Sequence, residues 1–229
     1  MLVIGHRGAA GHAPENTLAS VRHAIACGVD AVEIDVCLLE DALIVLHDDT
    51  LDRTTNGHGP YKDMRLADLR ALNAGQGEPI PLLEEVIALT CGRIGLNIEV
   101  KEAGIAAQVV TAALVATAAH RAWRAQILLS SFDIATSAAL ADLRGTMALG
   151  LLYEEAFDAA LARALTLGAR SLHMSLATLN ARDVARARAR GLQVYVYTVN
   201  DDEALARCRA ARVDGVFSDY PDRILASMT

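Results

Sequence analysis

Short apolar segments alternate with amphipathic segments along almost the whole chain, and this alternation limits the fold more than any other feature. The apolar segments have the length of buried strands, and we predict strands at Leu2–Gly5, Ala31–Leu38, Gly95–Val100, Ile127–Ser130, Met147–Leu151, Ser171–Met174, Gln193–Val199 and Gly215–Phe217. The segments between them predict helices at Asn16–Cys27, Ala103–Ala119, Phe132–Leu143, Ala156–Leu167, Asn180–Arg190 and Asp201–Ala211. Roughly eight strand–helix repeats in 229 residues predict a parallel α/β fold, a compact TIM (β/α)8 barrel.

Residues with known preferences for helix ends support these boundaries. Asn180 and Asp201 stand at predicted N-cap positions, where a side-chain oxygen accepts a hydrogen bond from the first turn. Gly28, Gly168 and Gly191 each follow a helical segment, where a left-handed residue commonly ends a helix.

One region departs from the alternation. Leu43–His47 predicts an extra strand after the second one, and the residues from Asp48 to Glu85 are polar and turn-rich, with a short helical piece at Leu66–Leu72. Long segments of this kind over a compact scaffold are commonly functional loops. We therefore expect one domain, residues 1–229, with a small insertion after the second strand, at approximately 48–85, over one mouth of the barrel.

The composition excludes several classes of protein. Hydrophobic residues make up 53% and charged residues 21%, as in a globular protein, and the net charge of −7 argues against a broad nucleic-acid surface. No apolar stretch approaches twenty residues, which argues against a membrane span, and no signal-peptide pattern begins the chain. The four cysteines show no CxxC spacing, so we expect reduced, buried thiols and a cytoplasmic location.

Two predicted strands carry acidic residues at alternate positions. In VEIDV, Glu33 and Asp35 point to one face, and in GLNIEVK the residues Asn97, Glu99 and Lys101 share one face. Neighbouring barrel strands would bring these three carboxylates together at one mouth, where burial without compensation is costly. A divalent cation would offset their charge, because hard cations prefer carboxylate oxygens. From the pattern alone, a metal site and a solvated acidic face both remain open.

Two histidines are expected at the same mouth. His6 ends the first strand and His47 ends the extra strand, and two imidazoles can share general acid and general base duty near neutral pH. Arg7 and Lys101 could hold a phosphate. For any single histidine a structural hydrogen bond is the alternative, and we expect no catalytic role for the remaining ones: His12, His23, His58, His120 and His173.

Nine short motifs, in order along the whole chain, resemble those of the glycerophosphodiester phosphodiesterase family, in its short cytosolic bacterial form. They are HRG (His6–Gly8), PENT (Pro14–Thr17), EIDV (Glu33–Val36), HDDTLDRTTNGHG (His47–Gly59), IPLLEEV (Ile80–Val86), NIEVK (Asn97–Lys101), SSF (Ser130–Phe132), YTVND (Tyr197–Asp201) and DGVFSDYPD (Asp214–Asp222). The family fold is a TIM barrel with a small insertion after the second strand, in line with the interrupted alternation.

The resemblance implies a reaction and a role for each site residue. The implied reaction hydrolyses a glycerophosphodiester to sn-glycerol 3-phosphate and an alcohol such as choline or ethanolamine. The implied ligands of one divalent metal ion, Mg²⁺ or Ca²⁺, are Glu33, Asp35 and Glu99. The implied acid–base pair is His6 and His47, and the implied substrate contacts are Arg7, Lys101 and Tyr197.

Some positions depart from the family pattern. Tyr197 stands where the family usually has tryptophan, so it would present a smaller aromatic face with a hydroxyl to the glycerol side of the substrate. Leu39 and Ala42 replace the usual threonine and glycine of the hairpin, and Glu102 stands where a proline often follows the lysine. Asn16 or Thr17 is expected to cap the first helix, and Glu15 and Asn16 could also support the site from behind its ligands.

Two alternatives to this interpretation remain. A related enzyme of lysolipids or phosphoinositides would need an apolar or basic rim for the membrane, and the insertion is mainly polar. A catalytically silent barrel that binds a phosphorylated ligand or a protein need not keep two histidines and three acids. We expect a small-molecule substrate, no nucleic acid and no stable membrane association; helical surfaces such as Val184–Arg190 are compatible with a homo-oligomer.

Overall fold

The parallel strands close into a barrel. A computed structural model describes residues 1–154 and 156–228, leaving Glu155 and Thr229 of the predicted domain outside it. Within that part the strands are β1 Leu2–Gly5, β2 Ala31–Leu39, β3 Ala42–Val45, β4 Gly95–Val100, β5 Ile127–Ser131, β6 Ala148–Leu152, β7 Ser171–Ser175, β8 Gln193–Tyr197 and β9 Gly215–Ser218. The parallel order is β1-β9-β8-β7-β6-β5-β4-β2, and the pairing of β1 with β2 closes it. The predicted TIM barrel is confirmed.

The helices lie between the strands in the chain. In the described residues they are α1 Leu18–Cys27, α2 Leu66–Arg70, α3 Leu83–Thr90, α4 Ala106–Ala116, α5 Ile134–Leu143, α6 Phe157–Thr166, α7 Ala181–Ala189, α8 Asp202–Ala211 and α9 Pro221–Ala226. Short 3-10 turns occur at Tyr61–Asp63, Arg121–Gln126 and Leu176–Thr178. The alternation did not predict α3 and α9. Both helices are short, and α3 directly follows the turn-rich segment. Neither contains enough turns for the helical spacing of apolar residues to be recognised in the sequence.

The caps of the helices mostly agree with the sequence. The side chains of Asn180 and Asp201 accept hydrogen bonds from the first turns of α7 and α8. Gly28 ends α1 in the left-handed conformation, at φ 84°. Thr17, not Asn16, caps α1, because its hydroxyl oxygen accepts a hydrogen bond from the amide of Ser20 at 3.2 Å. The side chain of Asn16 is thereby free for another partner.

The extra strand β3 pairs antiparallel with β2 and stays outside the barrel. The chain that follows, residues 46–82, contains α2 and packs on a small apolar core of its own. This core includes Ile44 of β3, Leu51, Tyr61, Leu69 and Ile80. Because Cys37 of β2 belongs to the same cluster, the segment is attached directly to a barrel strand.

The main core lies between the barrel and its surrounding helices, and apolar side chains from nearly all elements fill it. All four cysteines are free thiols; Cys37 and Cys208 are buried, but Cys27 and Cys91 are partly exposed, so the expectation of burial was wrong for those two. Among the helices described, none is both long and apolar enough to cross a membrane.

Candidate active site

A cavity of about 450 Å³ opens at the carboxyl ends of the strands, where TIM-barrel active sites lie. All of the predicted site residues line it: His6, Arg7, Glu33, Asp35, His47, Glu99, Lys101 and Tyr197. They come from β2, β4 and β8 and from the residues just after β1, β3 and β4. The parallel strands of a closed barrel all end at this mouth, so residues far apart in the chain meet here.

Three carboxylates form the floor of this cavity. Glu33 and Asp35 lie on β2, and Glu99 lies directly opposite Asp35 on the neighbouring strand β4. One carboxylate oxygen from each residue lies within 4.8 Å of the others, and all three residues are at least nine-tenths buried. The alternation in the sequence therefore predicted a real cluster rather than a solvated acidic face.

The charge of this cluster is only partly balanced by neighbouring cations. The ammonium of Lys101 lies 3.1 Å from Glu99 Oε1 and 3.7 Å from Asp35 Oδ1, and Arg7 Nε lies 3.2 Å from Asp35 Oδ2. Burial, together with the charge of Asp35, raises the pKa of Glu33 and of Glu99 above the usual range of a carboxyl group. Three carboxylates with only oxygen ligands form a site suited to a hard divalent cation such as Mg²⁺ or Ca²⁺.

Hydrogen bonds from the loop after β1 hold the acids in place. Asn16 donates from Nδ2 to Asp35 Oδ2 at 2.9 Å and accepts from the backbone amide of Asp35 at 3.2 Å. The backbone amide of Arg7 donates to Glu33 Oε2 at 3.0 Å. Asn16, for which the sequence favoured a helix cap over a supporting role at the site, therefore orients a candidate metal ligand.

The turn after β1 depends on a glycine. Gly8 has φ +85°, and a Cβ atom there would lie 2.3 Å from Ser20 Oγ and 2.6 Å from its carbonyl carbon. A side chain would therefore meet both an unfavourable backbone conformation and the first turn of α1. The hydroxyl of Ser20 donates to the carbonyl of Arg7 at 2.7 Å, which ties this close approach to the site.

His6 is oriented by a carboxylate from the other end of the chain. Its Nδ1 lies 2.7 Å from Asp219 Oδ1, and Asn200 donates from Nδ2 to Asp219 Oδ2 at the same distance. Burial lowers the pKa of His6, but the bond to Asp219 and the charge of Glu33 outweigh it, so the pKa lies above its usual value. The ionised Asp219 can only accept, so Nδ1 carries the proton and Nε2 is the exchanging nitrogen.

His47 has an equivalent partner beside it in the chain. Its Nδ1 lies 2.5 Å from Asp48 Oδ1, and Arg53 donates to both oxygens of Asp48, at 2.6 and 3.0 Å. The hydrogen bond from Arg53 keeps the pKa of Asp48 far below its usual range. Each of the two histidines thus has an aspartate on Nδ1 and, within the described chain, no hydrogen-bond partner on Nε2.

Sequence reasoning missed both aspartates as site residues. Asp48 lies within the HDD motif and Asp219 within DGVFSDYPD, so both stood in stretches already singled out. Asp48 had a usable signal, since it adjoins His47. The signal for Asp219 was its position directly after the last strand, because the carboxyl ends of barrel strands meet at one mouth.

The remaining wall of the cavity is partly aromatic. Tyr197 contacts Phe132 edge to face at a ring distance of 6.2 Å, and its hydroxyl is buried without a hydrogen-bond partner among the described residues. His173 also lines the cavity; it is fully buried, which lowers its pKa to about 3 and keeps it neutral. His12, by contrast, pairs with Asp222 at 2.6 Å and does not line the cavity.

The chain is similar to known proteins over nearly its whole length. The model of the glycerophosphoryl diester phosphodiesterase family matches residues 6–223. The chain is 33% identical over 233 residues to the glycerophosphodiester phosphodiesterase of Caldanaerobacter subterraneus subsp. tengcongensis, covering 98% of this chain and 96% of that relative. It is 30% identical to the glycerophosphodiester phosphodiesterase of Bacillus altitudinis, covering 96% and 95%.

Solved structures share the whole fold. A phosphodiesterase from Oleispira antarctica, in complex with the product sn-glycerol-3-phosphate, has a TM-score of 0.91 and 33% identity, covering 100% of this chain and 96% of that one. A glycerophosphodiester phosphodiesterase from Agrobacterium tumefaciens has a TM-score of 0.83 and 29% identity, covering 99% of each chain.

Proposed function

This chain belongs to the glycerophosphoryl diester phosphodiesterase family and is a phosphodiester hydrolase, and we propose that it cleaves glycerophosphodiesters in a metal-dependent reaction with two histidines. The products would be sn-glycerol 3-phosphate and the alcohol of the head group. The product bound to the Oleispira antarctica phosphodiesterase supports this choice of substrate.

The observation that carries the proposal is that one cavity holds all the groups the reaction needs. Glu33, Asp35 and Glu99 offer oxygen ligands within 4.8 Å of one another, and the same cavity is lined by two histidines and two cations. A metal site, a pair of proton-transferring histidines or a pair of cations alone would fit many reactions. Their combination in one cavity suits metal-assisted hydrolysis of a phosphodiester.

The residues present fit a divalent cation. Burial makes three ionised carboxylates unfavourable without an opposite charge, and Lys101 and Arg7 leave part of that charge unbalanced. Glu33, Asp35 and Glu99 would hold the ion. When bound there, a divalent cation supplies Lewis-acid stabilisation of the negative charge on the phosphate oxygens.

The two histidines would move the protons. With Nδ1 held by an aspartate, Nε2 of one imidazole accepts the proton of the attacking hydroxyl, and Nε2 of the other protonates the leaving alcohol. The attacking group is a water molecule or the glycerol 2-hydroxyl; the second would form a cyclic phosphate, which ³¹P NMR would detect.

Arg7 and Lys101 would stabilise the charge that develops at phosphorus. Both side chains lie in ion pairs beside the acids, at 2.7 Å from Glu15 for Arg7 and 3.1 Å from Glu99 for Lys101. These contacts fix the cations before the substrate arrives, which is how preorganised charges lower a barrier. Tyr197 would form part of the wall against the glycerol.

A coupled assay for glycerol 3-phosphate tests the proposal directly. The protein should release this product from glycerophosphocholine, lose the activity with a chelator and regain it with Mg²⁺ or Ca²⁺. A lysolipid offered as the alternative substrate should be turned over far more slowly. Absence of product from any glycerophosphodiester in the presence of metal would contradict the proposal.

Three further properties are proposed: the domain organisation, the location and self-association. We propose a single domain, residues 1–229, whose insertion covers residues 46–82 rather than the predicted 48–85, since that segment packs on β2 and β3 and α3 begins at Leu83. We propose a cytoplasmic location, which the free cysteines support. Self-association remains a prediction.

A further inference from the structure

Arg53 makes more polar contacts than an exposed surface residue needs. Its guanidinium donates from Nε and Nη2 to Asp48, at 2.6 and 3.0 Å, and from Nη1 and Nη2 to Glu15, at 2.7 and 2.8 Å. Arg53 itself does not line the cavity, and its side chain is 49% exposed. Its two partners are mostly buried, at 20% exposure for Glu15 and 25% for Asp48, so Arg53 joins two carboxylates in one network rather than forming an isolated surface ion pair.

Both partners of Arg53 contact residues of the active site. Asp48 Oδ1, which accepts from Arg53, also lies 2.5 Å from Nδ1 of His47. Glu15 Oε1, which accepts from Arg53, also accepts from Arg7 Nη1 at 2.7 Å. One guanidinium therefore joins the loop that carries His47 to the loop that carries Arg7.

The chain of contacts continues to the acidic cluster. Arg7 Nε lies 3.2 Å from Asp35 Oδ2, so an unbroken series of polar contacts runs from His47 to Asp35. A planar fork with fixed donor spacing suits this task, because it bonds two carboxylates at once in one geometry. A lysine ammonium is a single point charge and cannot reproduce both pairs of bonds.

We propose that Arg53 is a positioning residue, which sets the imidazole of His47 relative to Arg7 across the cavity. This inference depends on the proposed function, since it assigns His47 and Arg7 to the reaction. Loss of Arg53 should leave the substrate able to bind and should slow the chemical step, because the groups are present but misplaced.

The insertion should remain attached without Arg53. Glu78 accepts hydrogen bonds from the backbone amide of Ala19 at 3.1 Å and from Arg22 at 2.9 Å, and the apolar cluster around Tyr61 and Leu69 holds the segment to the barrel. The Arg22–Glu78 pair also provides a matched control, because Arg22 is 52% exposed and likewise joins the insertion to α1.

The test compares Arg53→Ala, Arg53→Lys and Arg22→Ala in the glycerol 3-phosphate assay with metal. We expect Arg53→Ala to lower kcat by roughly 10- to 100-fold with little change in KM, as for other residues that orient catalytic groups. Arg53→Lys should also be impaired, and Arg22→Ala should match the wild type. Guanidinium, far below the concentrations that unfold proteins, should restore part of the activity of Arg53→Ala alone.

NMR of the histidine side chains gives a readout that does not need turnover. The Nδ1 proton of His47, which is hydrogen-bonded to Asp48, should give a low-field signal in the wild type and in Arg22→Ala. It should shift or disappear in Arg53→Ala. If the wild type releases no glycerol 3-phosphate, the proposed function fails while this signal still tests the contact.

Three results would overturn the inference. They are an unchanged kcat in Arg53→Ala, full activity in Arg53→Lys, and an unchanged His47 signal in a folded Arg53→Ala. A fall in kcat that Arg22→Ala shares equally would also count against it, since any lost surface ion pair would then suffice.

Discussion

Nδ1 of His6 lies 2.7 Å from Oδ1 of Asp219, although 213 positions separate the two residues. The contact exists because β1 and β9 are neighbours, with Gly5 opposite Ser218. His6 directly follows the first strand and Asp219 directly follows the last one, so the closure of the barrel builds this pair.

Replacement of Asp219 by asparagine should lower kcat strongly and change the free energy of unfolding only slightly. Asparagine keeps the size of the side chain but lets Nδ1 of His6 become an acceptor, which favours the wrong tautomer. By analogy with a catalytic triad, where the equivalent change costs about 10⁴-fold, we expect kcat to fall by roughly 10²- to 10⁴-fold.

Asp222→Asn is the matched control for Asp219→Asn. Asp222 lies 2.6 Å from Nε2 of His12, so it forms the same type of pair outside the cavity. Its replacement should leave kcat near the wild-type value. Equal rates in the two variants would show that the Asp219 contact does not serve the reaction.

Replacement of His6 or His47 by alanine should lower kcat by roughly 10²- to 10⁴-fold, the usual contribution of general acid–base catalysis. Steady-state kinetics with glycerophosphocholine would measure it, and circular dichroism would check the fold. His58→Ala is a suitable control, because this side chain is 86% exposed and belongs to the same insertion as His47. Near-normal turnover in both active-site variants would refute the assignment.

Metal binding should stabilise the protein more at high pH than at low pH. Burial and the charge of Asp35 raise the pKa of Glu33 to about 8 from an ordinary value near 4.5. The folded, metal-free protein therefore binds more protons than the unfolded chain between these values. Its free energy of unfolding should accordingly fall as the pH rises from about 4.5 to about 8.

A bound divalent cation should remove that loss, because it needs the deprotonated carboxylates and balances their charge. Saturation at about 100 times Kd contributes about 2.7 kcal/mol, or roughly 5–10 °C in Tm for a chain of this size. Thermal melts with Mg²⁺ or Ca²⁺ and with a chelator, at pH 5 and pH 8, would measure the difference. Glu33→Gln should weaken the pH dependence, to which Glu99 still contributes through its raised pKa; an equal metal effect on the wild type at both pH values would contradict the prediction.

Glu102 should stabilise the insertion rather than the reaction. Its carboxylate accepts hydrogen bonds from the hydroxyl of Tyr61, from the backbone amide of Leu38 at 2.8 Å and from Lys62 at 2.6 Å. Glu102→Ala leaves the buried Tyr61 hydroxyl without this partner, so we expect the free energy of unfolding to fall by about 1–3 kcal/mol. Denaturant titration would measure it, with the exposed Glu203→Ala as the control. The same midpoint for both variants would argue against this role.

Local patterns in the sequence were sufficient for the barrel. Each strand is a short apolar run between clear helix signals, and Leu2–Gly5 and Gly95–Val100 agree with the structure to the residue. The last predicted strand residues were less accurate: β8 ends at Tyr197, whereas the apolar run continues to Val199. Apolar residues indicate burial and not strand pairing, so they cannot show where a strand ends and a buried loop begins.

The acidic cluster could be predicted because it depends only on alternation within a strand and on the pairing of neighbouring strands. Alternation places Glu33 and Asp35 on one face, and neighbouring strands bring Glu99 to the same place. The contacts of Arg53 could not be predicted, because they depend on how separate loops pack, and a supporting role for Asn16 was only one of two possibilities. For Asn16 the pattern even favoured a different use, since asparagine before a helix is a common cap.

The union of β1 with β9 also determines when this protein can first act during its synthesis. While only residues up to 214 have emerged from the ribosome, the nascent chain lacks β9, which flanks β1 on one side. It also lacks the carboxylate that orients His6. Turnover therefore requires a complete ring of strands, and chains that end before Gly215 should be inactive.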